Sequence, residues 1–270
     1  MRSIGDVFSQ IGDAFSVLWE HKKLLVFSYA GTLALVLCFY KIYLRADQLG
    51  FEIPDSFDPS KYSLIHLGAA VALAIAGNFS QNLISFVLIR CFLEINDKNE
   101  CSLIGALLSG ILNSVSILLW SVLETVVGVF LRFVKDSDSF LGRVAGTLMS
   151  VAWSAAAYFV LPIMAAKGAN PLKALDESSE LVSTTWGAQA VGAFGFGVIY
   201  FFFYLTTIPF LFSKSPFAVY YFIGYVSLIL SVHAAHLAVF GADLYLYAAH
   251  ERKRFRAIDD ESLNSSVRAS

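Results

Sequence analysis

The chain has 270 residues, of which 57 % are hydrophobic and only 15 % charged, with a formal net charge of −2. A mean hydropathy of +0.66 suits no soluble domain of this length, in which roughly a quarter of residues carry charge. The near-neutral balance offers no basic footing for nucleic acid, and lipid is the solvent that fits.

In chain order, residues 4–19 read as an amphipathic helix. Ile4, Phe8, Ile11, Phe15 and Leu18 recur at helical spacing against Asp6, Ser9, Gln10 and Asp13. A first span is predicted at 24–44, after His21, Lys22 and Lys23, and it is long enough to be a retained helix rather than a cleaved leader. The acidic stretch 46–60 follows (Asp47, Glu52, Asp55, Asp58), then a second span at 65–92. Residues 102–116 form a second amphipathic piece with Ser109, Asn113 and Ser116 as its polar seam, leading into spans at 117–133 and 141–165. A third piece, 171–186, sets Leu172, Leu175, Val182 and Trp186 against Lys173, Asp176, Glu177 and Glu180, with Asn170 as N-cap and Pro171 at N1. Spans at 188–212 and 217–249 complete the membrane part, and 251–270 is a polar tail, expected to be disordered.

The expected fold is therefore all-α: one polytopic membrane domain over 1–250, with six transmembrane helices and amphipathic helices on the cytoplasmic side. Runs this long must be helical, because backbone polar groups cannot go unpaired in hydrocarbon. Each amphipathic piece runs into Trp19, Trp120 or Trp186 at the start of a span, where interfacial tryptophan belongs. The plan of amphipathic helix plus membrane hairpin thus recurs three times; the same pieces also read as ordinary helix connections. Twelve of the nineteen Lys and Arg fall on the side of the N-terminus, the second-to-third and fourth-to-fifth connections and the tail. The positive-inside rule then places both termini in the cytoplasm and the protein in the inner membrane. Arg252, Lys253, Arg254 and Arg256 would touch anionic lipid. Cys38, Cys91 and Cys101 form no CxxC, and no disulfide framework is expected.

Small residues mark helix contacts in lipid. Gly142, Gly146, Ser150 and Ser154 recur every four residues along the fourth span, and Ala188, Gly192, Ala193 and Gly197 lie on the fifth. These faces could meet within one chain or between copies.

Polar residues at membrane depth are the candidates for function. Glu124 lies among Val122, Leu123, Val126 and Val127. It reads as a proton or cation site, or as an interior carboxyl bonded to Asn, Gln or His on a neighbouring helix. Asn78, Gln81 and Asn82 cluster in the second span. His233, His236 and Asp243 fall within about 80° on one face of the sixth. Two histidines could share a metal, but Asp243 is about 10 Å further along the helix and no third ligand is evident. No metal or cofactor is assigned, and the histidines read as pore-lining or as structural polar packing. Asn82 and His236 count to similar depth, so a polar layer joined by Glu124 could cross the interior.

The segment 161–187 (LPIMAAKGANPLKALDESSELVSTTWG) resembles a signature of uncharacterised prokaryotic six-span membrane proteins. It is similar, too, to the membrane domain attached to some glycerophosphodiester phosphodiesterases. Pro162, Gly168, Pro171, Ala174, Ser178, Trp186 and Gly187 are the matching residues. The resemblance implies architecture and not activity, for the chain has neither a soluble barrel nor a cluster of acidic metal ligands.

No Walker loop, dinucleotide fingerprint, HExxH, GxSxG or CxxC is present. The leading expectation is a non-enzymatic membrane scaffold or assembly component, self-associating or bound to other membrane proteins. The alternative is a channel or small-solute transporter using the polar layer, and Asp243 with His250 and Glu251 is a thin candidate for lipid-modifying chemistry.

Overall fold

The computed structural model describes residues 4–45, 64–136, 139–212, 215 and 217–268. Among them the chain is helical throughout, with no strand. Helix α1 (Ile4–Glu20) and α2 (Lys22–Leu44) are parted only by His21. Then come α3 (Leu64–Lys98), α4 (Leu103–Leu112), α5 (Ser114–Lys135), α6 (Phe140–Ala157) and α7 (Val160–Lys167). The series ends with α8 (Pro171–Leu205), α9 (Ile208–Leu211) and α10 (Ala218–Arg268).

Local chemistry sets these boundaries. Asn99, at φ 60°, takes the left-handed conformation that closes α3. Ser102 and Ser139 cap α4 and α6 by accepting from Gly105 N (3.1 Å) and Gly142 N (3.0 Å). Asn113 interrupts α4 and α5, its amide donating to Ser109 O at 2.8 Å. Asn170 accepts from Lys173 N at 2.9 Å with Pro171 at the first helical position, as the sequence predicts. Ahead of Pro209, α8 stops where Thr206 and Thr207 turn their hydroxyls back onto Phe203 O and Tyr204 O.

Among the described residues five helices are long and apolar enough to cross a membrane: Lys22–Leu44, Leu67–Lys98, Ser114–Lys135, Phe140–Lys167 and Ala218–His250. The chain is thus a multi-pass helical membrane protein. The sixth expected span, 188–212, is described only in part: Gly195–Phe210 forms an apolar helical stretch, and most side chains of 188–194 lie outside the described residues. Residues 171–186 do not form a separate helix. They run straight into the apolar stretch as one 35-residue helix, α8: the Trp186–Gly187–Ala188 junction holds no proline, and Gly187 stays within the helix. The His21 and Asn113 breaks therefore mark two of the three expected junctions but not the third. The helix α10 continues to Arg268 through the stretch 251–268, where composition predicts a disordered tail; the side chains there lie outside the described residues, as does the whole acidic stretch 46–60.

The bundle is packed tightly at one end. Helices α3 and α10 form its centre, α10 against α1, α2, α3 and α8, and α3 against α5 and α7. Leu18, Leu24, Phe86, Leu88, Phe159, Ile163, Phe240 and Leu244 are fully buried there. The apolar face of α1 (Ile11, Ala14, Leu18) is buried against α8 and α10, where an interfacial helix would have met lipid. At the other end Tyr43, Leu44, Phe133, Phe140 and Leu141 are exposed, a surface suited to hydrocarbon. Basic residues tie the packed end together. Lys23 Nζ donates to Cys101 O (2.9 Å), Arg90 Nη1 to Ala165 O (3.0 Å), and Lys167 pairs with Glu177 at 2.5 Å. The sequence assigns all three cations to one side of the membrane, and they do share one end of the fold.

Candidate functional site

Two polar clusters lie within the bundle. The first is a ladder between α3 and α5. Asn82 Nδ2 donates to Glu124 Oε2 (2.6 Å) and to Ser121 Oγ (3.0 Å), and Asn78 Nδ2 donates to Thr125 Oγ1 (2.9 Å). The hydroxyls pass their own protons to the α5 backbone, Ser121 to Ile117 O at 2.8 Å and Thr125 to Ser121 O at 2.7 Å. Asn82, Ser121 and Thr125 are buried, while Glu124 is half-buried. Trp120, one turn before Glu124 on α5, stacks on Trp153 of α6, with ring centroids 5.9 Å apart. Burial of Trp120 corrects the interfacial expectation for that residue: it sits where α5 packs on α6. Trp19 is largely exposed, as an interfacial tryptophan should be, and the side chain of Trp186 lies outside the described residues.

The second cluster joins α1, α8 and α10. The Tyr200 hydroxyl hydrogen-bonds His236 Nδ1, and its ring stacks on His233 at 4.1 Å. The rings of Phe15 on α1 and of Phe196 lie with centroids 3.7 Å and 6.1 Å from that of His236. His236 is buried, and its Nε2 has no hydrogen-bond partner among the described residues. Tyr200 thus engages both histidines through aromatic and hydroxyl contacts. Among the described residues no group of three or more His, Cys, Asp or Glu is placed to hold a metal. Asp243 is half-buried two turns further on and engaged in interactions of its own. Gln81 is half-buried beside Asn82. Among the described residues no hydrogen bond links the ladder to the histidines, so Glu124 and Asn82 meet, whereas His236 belongs to a separate group.

The packing residues divide in the same way. A Cβ on Gly192 would stand 2.4 Å from Phe240 Cε1, and one on Gly146 would stand 2.8 Å from Lys135 N. Both glycines admit a neighbour that no other residue would. Gly197 has open space around it, and Ser154 is exposed, the burial on that turn passing to Ala155. Gly142 is half-buried and serves the Ser139 cap; Ser150 bonds back to Gly146 O at 2.8 Å. The side chains of Ala188 and Ala193 lie outside the described residues.

The 161–187 segment forms a helical hairpin with a mechanism. Pro162 has no N–H to offer the Tyr158 carbonyl and its ring crowds it, so the helix breaks between α6 and α7 at Tyr158–Phe159. Tyr158 N turns to Ala155 O, and the displaced Phe159 N–H is taken up by Ser178 Oγ at 3.1 Å. A neighbouring serine re-satisfying a proline-freed amide is what lets such a break persist in a membrane. Gly168, at φ 63°, closes α7 in the left-handed region, and buried Ala174 permits the close α7–α8 approach. The Trp186 side chain and the surroundings of Gly187 lie outside the described residues.

Sequence reading missed Tyr200, Phe15, Ser121 and Thr125 as members of these clusters. For Ser121 and Thr125 a signal existed: with Glu124 they share one face of α5 at spacings of three and four. A further contact, between α2 and α10, went unread. Ser28 Oγ donates to Ser231 O at 2.9 Å, beside buried Thr32 and Ser227.

These features define a multi-pass helical membrane protein with interhelical polar contacts in its interior. The chain belongs to DUF6159, a family of unknown function, whose model matches residues 104–255. No curated protein and no solved structure matches the chain. The matched region holds Glu124, the 161–187 hairpin and both histidines; Asn78 and Asn82 on α3 lie outside it.

Proposed function

We propose that this protein is a non-enzymatic scaffold or assembly component of the cytoplasmic membrane, with both termini in the cytoplasm. The observation that carries the reading is how the interior polar groups are used. Asn82 with Glu124 and Ser121, Asn78 with Thr125, Ser28 with Ser231 and Ser178 with Phe159 join one helix to another. Polar groups committed to each other act as glue between helices. The exposed apolar flank of α4, α5 and α6, including Leu112, Val115, Phe133 and Leu141, is available to lipid, a second copy or another membrane protein. The basic residues at 252–256 add contact with anionic headgroups. The resemblance of 161–187 to the phosphodiesterase-linked membrane domain fits an architectural part of this kind, with the enzymatic half left out.

Glu124 favours a second reading, a channel or small-solute transporter, because a half-buried carboxyl at membrane depth is the group such proteins employ. Reconstitution separates the two. The fluorescently tagged chain is placed in liposomes, copies are counted by stepwise photobleaching, and ion flux is followed in the same vesicles. The scaffold reading expects a fixed multi-copy assembly, or a fixed complex with a co-purifying membrane protein, and flux no greater than in empty liposomes. Flux that Glu124→Gln abolishes while the assembly stays intact would move the assignment to transport.

A further inference from the structure

Glu124 is unusual in its company. One amide from Asn82, at 2.6 Å, is its hydrogen-bond partner, and among the described residues no charged side chain contributes to its surroundings. The elements packed on α5 bring no cation to it. Helix α4 carries no charge, and α6 carries only Arg143 in its first turn. On α3 the charged residues begin at Arg90, eight positions past Asn82, with His66 at the start. The charges of α8 end at Glu180, and on α5 itself Arg132 is two turns away. A lone carboxylate in low dielectric costs several kcal/mol or more, so charge balance at this depth calls for one positive partner from solution.

The oxygens around it supply a coordination set. Ser121 Oγ and Glu124 Oε2 share the same Asn82 Nδ2 donor and are therefore close neighbours, and Thr125 Oγ1 lies one residue beyond Glu124 on the same face. Each asparagine spends Nδ2 on α5 and keeps Oδ1 as an acceptor. Hydroxyl, amide and carboxyl oxygens are hard ligands, suited to hard cations. A single carboxylate balances one charge and not two, which disfavours a divalent ion in a dry setting.

We propose that Glu124, with Ser121, Thr125 and the amide oxygens of Asn78 and Asn82, forms a binding site for one monovalent cation, Na+ or a proton, between α3 and α5. The site stands apart from the scaffold reading, since a bound cation would pin α3 to α5 whether or not anything is transported. A proton takes the carboxyl alone, whereas Na+ also draws on the hydroxyl and amide oxygens.

The test uses the full chain in lipid nanodiscs, with the unfolding midpoint followed by tryptophan fluorescence. NaCl is compared with choline chloride at equal ionic strength, and mildly acidic with mildly alkaline buffer, for wild type, Glu124→Gln and Thr125→Val. Glu124→Gln keeps the acceptor for Asn82 and removes the charge. If Na+ occupies the site, it raises the wild-type midpoint by several degrees, less in Thr125→Val and not at all in Glu124→Gln. If a proton does, the wild-type midpoint falls on alkalinisation in choline, Thr125→Val follows it, and Glu124→Gln stays flat. Equal responses of wild type and Glu124→Gln to both variables would overturn the site. Should Glu124→Gln not fold, dicyclohexylcarbodiimide modification of wild-type Glu124 gives the same answer by mass spectrometry. Several-fold suppression by Na+ or by alkaline pH supports the site, and modification that is absent or unchanged throughout overturns it.

Discussion

Gly192→Val is expected to destabilise the protein by about 1–3 kcal/mol or more, whereas Gly197→Val, on the same helix, should be close to neutral. The Cε1–Cζ edge of the Phe240 ring lies against Gly192, so that even the first added carbon would stand 2.4 Å from Cε1 and 2.5 Å from Cζ. Phe240 has little room to retreat. It is fully buried, and Phe196 meets it edge-on with centroids 5.3 Å apart. The strain would pass through Phe196 to the His236 ring it stacks on, so the α8–α10 contact should loosen as a unit. Gly197 faces open space, and there valine trades a poor helix former for a better one. The comparison checks itself through unfolding midpoints of both variants in the same lipid. Equal losses at the two positions would mean that α8 does not present this face to α10.

Trp120→Ala should cost about 3–5 kcal/mol, the range for deleting a buried aromatic. Trp120 is 1 % exposed and is the largest of the fully buried side chains. Its stacking on Trp153 ties α5 to α6. Trp19→Ala, at a side chain 69 % exposed, is the matched control and should lose far less. Unfolding followed by circular dichroism, which does not depend on the deleted fluorophore, measures both.

Much of the fold was legible because the bilayer imposes long apolar runs, and five of the expected spans stand out as helices. The continuity of α8 was not legible. Amphipathic and apolar stretches change composition at Trp186–Gly187, but composition does not bend a helix, and no proline stands there to break one. The break at Tyr158–Phe159 was written in Pro162, yet its location and its Ser178 partner depend on which residue faces it across the hairpin. Glu124 was readable as an isolated carboxyl with two meanings, and its Asn82 contact is the neighbouring-helix hydrogen bond that one of them required. His236 could be placed at the depth of Asn82 by counting, but counting carries no angular information between helices. The two residues ended in separate clusters for that reason. Tyr200 escaped notice within the run of aromatics from Tyr200 to Tyr204, in which Phe201 and Phe202 are exposed while Tyr200 is buried.

If interior polar side chains bond helix to helix, the Asn82–Glu124 pair should couple α3 to α5. A double-mutant cycle of Asn82→Ala and Glu124→Ala, with unfolding free energies measured in a bilayer, isolates their coupling. A favourable coupling of about 0.6 kcal/mol or more, the scale of interhelical hydrogen bonds in membranes, is expected. Strict additivity of the two substitutions would contradict it.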